Sequence, residues 1–456
     1  MPKRIAALLL NLTMLSAFAL AQNNVNAPSK ITLIKVGRLL DVKSGKYRIN
    51  QGVLVENERI KEVGPIAEVQ KHLPKNSAVL DLSAATVLPG LIDCHTHLLD
   101  LRSTSLEFYQ NNALRLTQVS NEERAATGAR NAREVIEAGW TTVRDLGDGT
   151  QNSDVMLRDG INAGRITGPR MLVATKKLTP TNGQHLRQID IVDKELIQRE
   201  YLLVGNVADA RRGVQEAARL GADVIKVIVD DGPLVLTLEE MKAIIAEAHR
   251  AGLKVAAHAH IMESVKVAVE AGADSIEHAY RISDESLRMM REKGIFLVPT
   301  DTTQEAVAEL LMKTLPPFKE QRPELEMYVK EQVEFAPERL RRALKMGVRL
   351  AAGSDLAWKW PGRTRGEQSL LIFDAYARAG MPPVEMIRAA TINAAEMLGW
   401  QDRIGTIETG RYADLIAVTG DPLGDAAALQ HIKFVMKGGV VIKNEIGVGR
   451  SSKPAR

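Results

Sequence analysis

A chain of 456 residues has room for one barrel-sized domain and a smaller one, since a single α/β barrel takes roughly 250 residues. With 45% apolar, 25% charged and 4% aromatic residues its composition is globular, and a single cysteine excludes a disulfide-stapled scaffold. The net charge of +4 is small and no basic cluster is interleaved with aromatics, so nothing argues for a nucleic-acid partner.

At the N-terminus, Lys3 and Arg4 precede an apolar run from Ile5 to Leu20, and Ala19-Leu20-Ala21 has the small-x-small form of a cleavage site. These are the three parts of a secretory signal peptide. Residues 1–21 are therefore expected to be removed and the mature chain to be exported, periplasmic or secreted. The run contains Asn11, Thr13 and Ser16 and falls short of the roughly 20 apolar residues of a membrane span, so a stable anchor is the weaker reading.

From Ile31 to Leu82 apolar residues alternate with turn signals, as in ITLIKVGRLL, VLVENERIKEVG and AVLDL, which predicts short antiparallel strands. ADLIAVTGDPL and IKFVMKGGVVI have the same character near the other end. The economical arrangement is a small β-sandwich domain built from both termini, residues 22–86 plus 402–448.

Between them, over 87–401, β-rich runs alternate with amphipathic helical runs, the pattern of an α/β protein with a parallel sheet. Eight strands are predicted: TVLPGLIDCHTH, TTVRDL, PRMLVAT, ADVIKVIV, KVAAHAH, DSIEHA, IFLVPT and VRLAAGSD. Glycines 139, 221, 252, 272, 294 and 347 stand where helices should stop before the next strand. Eight such units, with no Gly-rich phosphate loop after the first strand, favour a closed (β/α)8 TIM-like barrel over a doubly wound sheet. The polar stretch from Lys176 to Arg199 predicts a loop over the C-terminal mouth, and that from Asp301 to Pro323 a lid.

His95 and His97 lie two apart at the end of the first barrel strand, where a period of two turns both imidazoles to one side, as two ligands of one metal require. Cys94, between Asp93 and His95, reads as a buried packing residue rather than a nucleophile. Lys226 interrupts the fourth strand, where a bare ammonium needs an explanation. A salt bridge or snorkelling to the rim is the ordinary one; carbamylation by CO2, which makes a bridging carboxylate, is the functional one. His258, His278 and Asp355 close the fifth, sixth and eighth strands. One buried histidine is commonly a satisfied core residue, but several such groups at the ends of one set of strands point to a metal site.

PGLIDCHTHL, VIKV, VAAHAH, SIEHA and GSD, in that order, resemble the amidohydrolase superfamily over essentially the whole mature chain. TTVRDLG, AEAHRAGLKVAAHAH and FVMKGG resemble its imidazolonepropionase-related branch, with Xaa-Pro dipeptidase-like enzymes, exported carboxypeptidases and ochratoxin-hydrolysing amidohydrolases. The resemblance implies a binuclear centre with His95, His97 and Asp355 on the more buried ion, His258 and His278 on the more exposed one, and Lys226, carboxylated by CO2, bridging them. It selects His258 as the ligand in HAH, although strand parity turns His260 inward too; His260 is expected to face substrate. His185, in TNGQHL, matches the histidine of a Gly-Gly-His element that faces the substrate carbonyl in relatives, but this chain reads Gly-Gln-His.

The implied chemistry is attack by a metal-bridging hydroxide on an amide of a dipeptide or N-acyl amino acid, with Asp355 carrying the proton to the leaving amine. Zinc suits the ligand set, and manganese and cobalt accept it too. A lactonase or phosphotriesterase using the same site is the alternative; a mononuclear deaminase has no use for Lys226. A barrel that only binds a ligand would not need six ligands retained. The expected partner is a small amide or peptide substrate, with self-association into a homo-oligomer left open. Asp230 and Asp231 read as turn residues, Arg363 and Arg365 as surface residues unless they meet a substrate carboxylate, and His72, His249 and His431 as ordinary surface histidines. Where relatives carry Pro-His-Gly after the strand-eight aspartate, this chain reads Trp360-Pro361-Gly362-Arg363, so the substrate is not copied from any one relative.

Overall fold

The structure, a computed structural model, describes residues 30–100, 120–147, 152–181, 198–303, 334–355 and 362–446. The expected leader at 1–21, His185 and most of the expected lid lie outside these residues. Among the described residues no helix is long and apolar enough to cross a membrane.

In chain order the strands open with β1 (Ile31–Asp41), β2 (Lys46–Glu56), β3 (Arg59–Pro65) and β4 (Ala78–Pro89). The middle of the chain supplies β5 (Leu91–Thr96), β6 (Trp140–Asp145), β7 (Arg170–Val173), β8 (Lys177–Pro180), β9 (Tyr201–Val204) and β10 (Val224–Ile228). There follow β11 (Asp230–Asp231), β12 (Leu234–Val235), β13 (Lys254–Ala259), β14 (Ser275–His278) and β15 (Phe296–Val298). The chain closes with β16 (Leu415–Val418), β17 (Ile432–Lys437) and β18 (Val440–Asn444).

Strands from both termini do meet. They form one hydrogen-bonded seven-stranded sheet, in the order β18-β17-β16-β4-β1-β2-β3. The join is β16 against β4, with Leu415 opposite Pro89 and Val418 opposite Thr86. Alternation in β1, β2 and β17 turns Ile34, Val36, Val53, Val55, Phe434 and Met436 into a core of its own. β4 then hands the chain to β5 through Gly90, where a Cβ would stand 2.1 Å from Thr141 Oγ1. Only glycine fits that crossing.

The central strands pair in parallel, as β5-β6-β7 and as β15-β14-β13-β10-β8-β9. β5, β6 and β10 are buried along their whole length, as expected of a parallel sheet covered by helices. The stretch predicted as the eighth strand runs between the two sheets: Cys94 N donates to Ala352 O at 2.8 Å, Asp355 N to His95 O at 2.8 Å, and Ala351 N to Leu297 O at 3.0 Å. Lys177–Pro180 corrects the start of the expected mouth loop, since it is a strand of the six-stranded sheet, paired with Tyr201–Val204; residues 182–197 of that loop lie outside the described residues. All six glycines expected to stop helices have positive φ, between 71 and 98°.

Candidate metal centre

The expected metal ligands, all within the described residues, arrive at one place. β5 delivers His95 and, one residue beyond its end, His97; β10 delivers Lys226, β13 His258, β14 His278, and the segment after Ala352 delivers Asp355. His95 and His97 ring centroids are 5.4 Å apart, His95 and His278 5.1 Å, and His258 and His278 4.5 Å. Lys226 Nζ stands 3.2 Å from His95 Nε2. Asp355 Oδ1 faces His97 Nε2 at 3.2 Å and His95 Nε2 at 3.4 Å, and its Oδ2 lies 3.8 Å from His278 Nδ1.

Two sets of ligand atoms lie within 4.8 Å of one another among the described residues: His258 with His260 and His278, and His95 with His278 and Asp355. His278 belongs to both, and His260 stands beside His258 with ring centroids 4.2 Å apart. Geometry thus gives His260 the same access as His258, and parity along β13 explains it.

Electrostatics leaves most of these groups ready to bind a cation. Burial, helped by the nearby Lys226 charge, lowers His95 to about 4, so its imidazole is neutral near pH 7. Burial and the neighbouring imidazoles hold His278 well below its usual value. Burial lowers Lys226 to about 8 despite the carboxylates of Glu277 and Asp355, with Lys177 and Arg144 adding to the effect. Burial pushes the Asp355 carboxyl up, but His95, His97 and Lys226 outweigh it and keep it well below the ordinary carboxylate range. His278 Nδ1 is engaged by Thr300 Oγ1 at 2.7 Å, while its Nε2 is buried with no hydrogen-bond partner among the described residues. An orphan nitrogen of that kind costs free energy unless something occupies it.

Strain marks the same strand ends. Thr175, His278, Ala279, Thr300 and Asp355 all have φ between 49 and 67°, a region L-residues other than Asn seldom adopt. Arg339 helps to hold this backbone, donating to the carbonyl of His278 and to the Asp301 carboxylate. Below His95, a Cβ on Gly353 would stand 2.9 Å from His95 Cβ and 2.4 Å from Val298 Cγ1, which accounts for the glycine of GSD.

Several residues carry roles that sequence reasoning missed. Glu277, fully buried, receives His95 Nδ1 on Oε2 at 2.8 Å and Arg144 Nη2 on Oε1 at 2.8 Å. Burial raises its carboxyl, but Arg144 and His95 reverse that and bring it to about 2. Asp230 is no turn residue: Oδ2 accepts from the amides of His260 and Ile261 and from Ser264 Oγ, at 2.8–3.0 Å, capping the helix Met262–Ala271 from outside. Arg365 is no surface residue either. It is 3% exposed, and Nη1 donates to the His97 carbonyl at 2.7 Å. Cys94 is buried and its thiol is pushed up by burial, as a packing residue should be. His72 and His249 pair at the surface with Glu62 and Asp274.

The amidohydrolase family model matches residues 86–443. An ochratoxinase of Aspergillus niger is 30% identical, with 94% of this chain and 90% of that protein covered. An imidazolonepropionase of Fusobacterium nucleatum is 25% identical, with 80% and 84% covered. Among solved structures, a Xaa-Pro dipeptidase with methionine bound in its active site is 30% identical, covers 91% of this chain and all of its own, and superimposes with a TM-score of 0.78. The chain therefore belongs to the amidohydrolase family, whose members named here are hydrolases of C–N bonds.

Proposed function

We propose that the protein is a metal-dependent amidohydrolase that cleaves the amide bond of a dipeptide or of an N-acyl amino acid, ochratoxin A included, at the strand-end cluster. The observation that carries this reading is the convergence of His95, His97, His258, His260, His278, Lys226 and Asp355 on one site. The similarity to an ochratoxinase and to a Xaa-Pro dipeptidase crystallised with methionine supports a substrate that releases a free amino acid. It also supports a closed (β/α)8 barrel as the frame, with residues 22–86 and 402–448 as the smaller domain. The leader argued from Lys3 to Ala21 supports export.

The donor set fits divalent ions. The buried, unpartnered Nε2 of His278 is the atom that most needs one. Neutral imidazole nitrogens with carboxylate oxygens suit zinc first. His95, His97 and Asp355 would hold one ion and His258 and His278 a second, with Lys226 between them as the carbamate. In making that carbamate the neutral Lys226 amine forms an N–C bond to CO2 and gives up one proton. A bound pair of divalent ions supplies a water of lowered pKa and polarises the scissile carbonyl.

The chain's own residues do the rest. Asp355 is 33% exposed at its side chain. Its ionised carboxylate takes the proton of the attacking water and hands it to the departing nitrogen, which leaves poorly as an anion. His260, beside His258, faces the substrate.

The test is metal analysis combined with a panel of dipeptides, N-acyl amino acids, lactones and organophosphates. Two zinc ions per chain and turnover of amides are expected, both lost on chelation and restored by metal. Turnover of lactones without amides would overturn the substrate class, and metal-free protein of full activity would overturn the site.

A further inference from the structure

Arg144 of TTVRDLG and Glu277 of SIEHA lie in stretches that carry the family resemblance, yet neither has a part in the chemistry above. We propose that Glu277, clamped by Arg144 and Ser275, is a positioning residue that decides which ring nitrogen of His95 carries its hydrogen, and so turns the Nε2 lone pair toward Lys226 and Asp355.

The geometry favours one set of hydrogens: of the two carboxylates that face the ring, Glu277 is nearer, at 2.8 Å against 3.4 Å for Asp355, and Lys226 Nζ at 3.2 Å offers Nε2 a donor. Glu277 is a carboxylate and can only accept, and its Oε2 lies 2.8 Å from His95 Nδ1. Nδ1 must therefore be the donor. A neutral imidazole has one N–H, so Nε2 is left with its lone pair, 3.2 Å from Lys226 Nζ and 3.4 Å from Asp355 Oδ1. With the hydrogen on Nε2 instead, the Nδ1 lone pair would point at an anion between two fully buried residues.

Glu277 cannot turn away from this task. Its other oxygen receives Arg144 Nη2 at 2.8 Å and Ser275 Oγ at 2.5 Å. Arg144 is itself fixed, with Nε donating to the Cys94 carbonyl at 2.6 Å and Nη1 to Ser275 Oγ at 3.0 Å. One guanidinium thus ties β5, β6 and β14 together beneath the histidines. Arginine has only donors, so the atom of residue 277 that faces it must be an acceptor.

That asymmetry makes an isosteric change informative. In Glu277→Gln the amide oxygen must face Arg144, which leaves the NH2 facing His95. Nδ1 then has to accept, and the hydrogen moves to Nε2. Replacing Arg144 by Met in the same chain frees the amide to turn over, presenting its oxygen to Nδ1 and its NH2 to Ser275 Oγ. The double variant regains the original tautomer, whereas a merely structural role would make it worse than the single one. The consequence for a metal rests on the metal-centre reading; the tautomer itself does not.

The experiment is nitrogen NMR of the full chain, labelled with 15N-histidine and stripped of metal by chelation, with the His95 signals identified by their loss in His95→Asn. Wild type should carry the hydrogen on Nδ1, Glu277→Gln on Nε2, and the double variant on Nδ1 again. Zinc affinity, measured by chelator competition, should fall about 10–100-fold in Glu277→Gln and largely recover in the double variant. Wild-type His95 with its hydrogen on Nε2 overturns the proposal and needs no variant to fold. An unchanged tautomer in Glu277→Gln overturns it too. A wild-type chain with the expected tautomer that binds no zinc would instead overturn the metal-centre reading alone.

Discussion

One oxygen of Asp355 stands 3.2 Å from His97 Nε2, and the same oxygen also faces His95, so a single carboxylate is shared between the two histidines at the end of β5. Asp355→Asn keeps the shape and removes both the charge and the ability to take a proton. A kcat loss of about 10²–10⁴-fold is expected, the range of a general acid–base group. Steady-state kinetics on an amide substrate, with circular dichroism as the folding control, check it. Activity within threefold of wild type would remove Asp355 from the proton transfer.

Lys226 tests the site differently. Its ammonium is lowered to about 8 from an ordinary 10.5, burial being the largest cause. Carbamate formation consumes the neutral amine, so the reactive fraction rises with pH and levels off above about 8. Reconstitution of metal-free protein with zinc should accordingly be faster at pH 8.5 than at pH 6.5, depend on added bicarbonate, and be absent in Lys226→Met. Recovery of equal activity in CO2-free buffer at both pH values would show that the unmodified amine suffices.

The histidines and Asp355 of the cluster were legible in the sequence because each ends an apolar run, and a strand end is a position that sequence reveals well. The supporting residues were not. Arg144 and Glu277 are charges inside apolar strands just as Lys226 is, and the argument that a buried charge needs a partner would have found them as a pair. Lys177–Pro180 reads as a polar loop because β8 is held by its neighbours, β9 and β10, and not by its own propensity. Asp230 caps a helix that begins 32 residues later, and Arg365 reaches the carbonyl of a residue 268 positions away, relations that no local pattern carries.

Gly353 links the fold to the site at close range. A methyl group there would meet His95 and Val298 at distances real Cβ atoms do not show. Gly353→Ala must therefore push either β5 or β15 aside. Overpacking of this kind costs about 1–3 kcal/mol, and misplacing a reacting group by an ångström costs about 10²-fold in rate. The expected result is a lower melting temperature together with a larger proportional loss of kcat/KM, measured on the same preparation. A variant as active as wild type would mean that the strands yield without moving His95.

Asp154, away from the histidines, gives a prediction about stability alone. It is fully buried at the start of the helix Ser153–Asn162, and its oxygens accept from the amides of Val155 and Thr175, each at 2.8 Å. Burial nevertheless outweighs those hydrogen bonds and raises its carboxyl from 3.8 to about 6. A carboxyl whose pKa is higher in the folded state stabilises the fold when protonated. That contribution is complete below about pH 4, is lost as pH rises toward 6, and does not change further above it. Two pKa units correspond to about 3 kcal/mol. Asn does not titrate, so the stability of Asp154→Asn relative to wild type should improve by up to about that amount between pH 4 and pH 7, whatever the fixed cost of turning an amide NH2 toward a backbone donor. Urea unfolding of both proteins at the two pH values measures the difference. A gap that stays constant with pH would mean that the carboxylate is already ionised in the folded protein at pH 4, its two amide donors having won over burial.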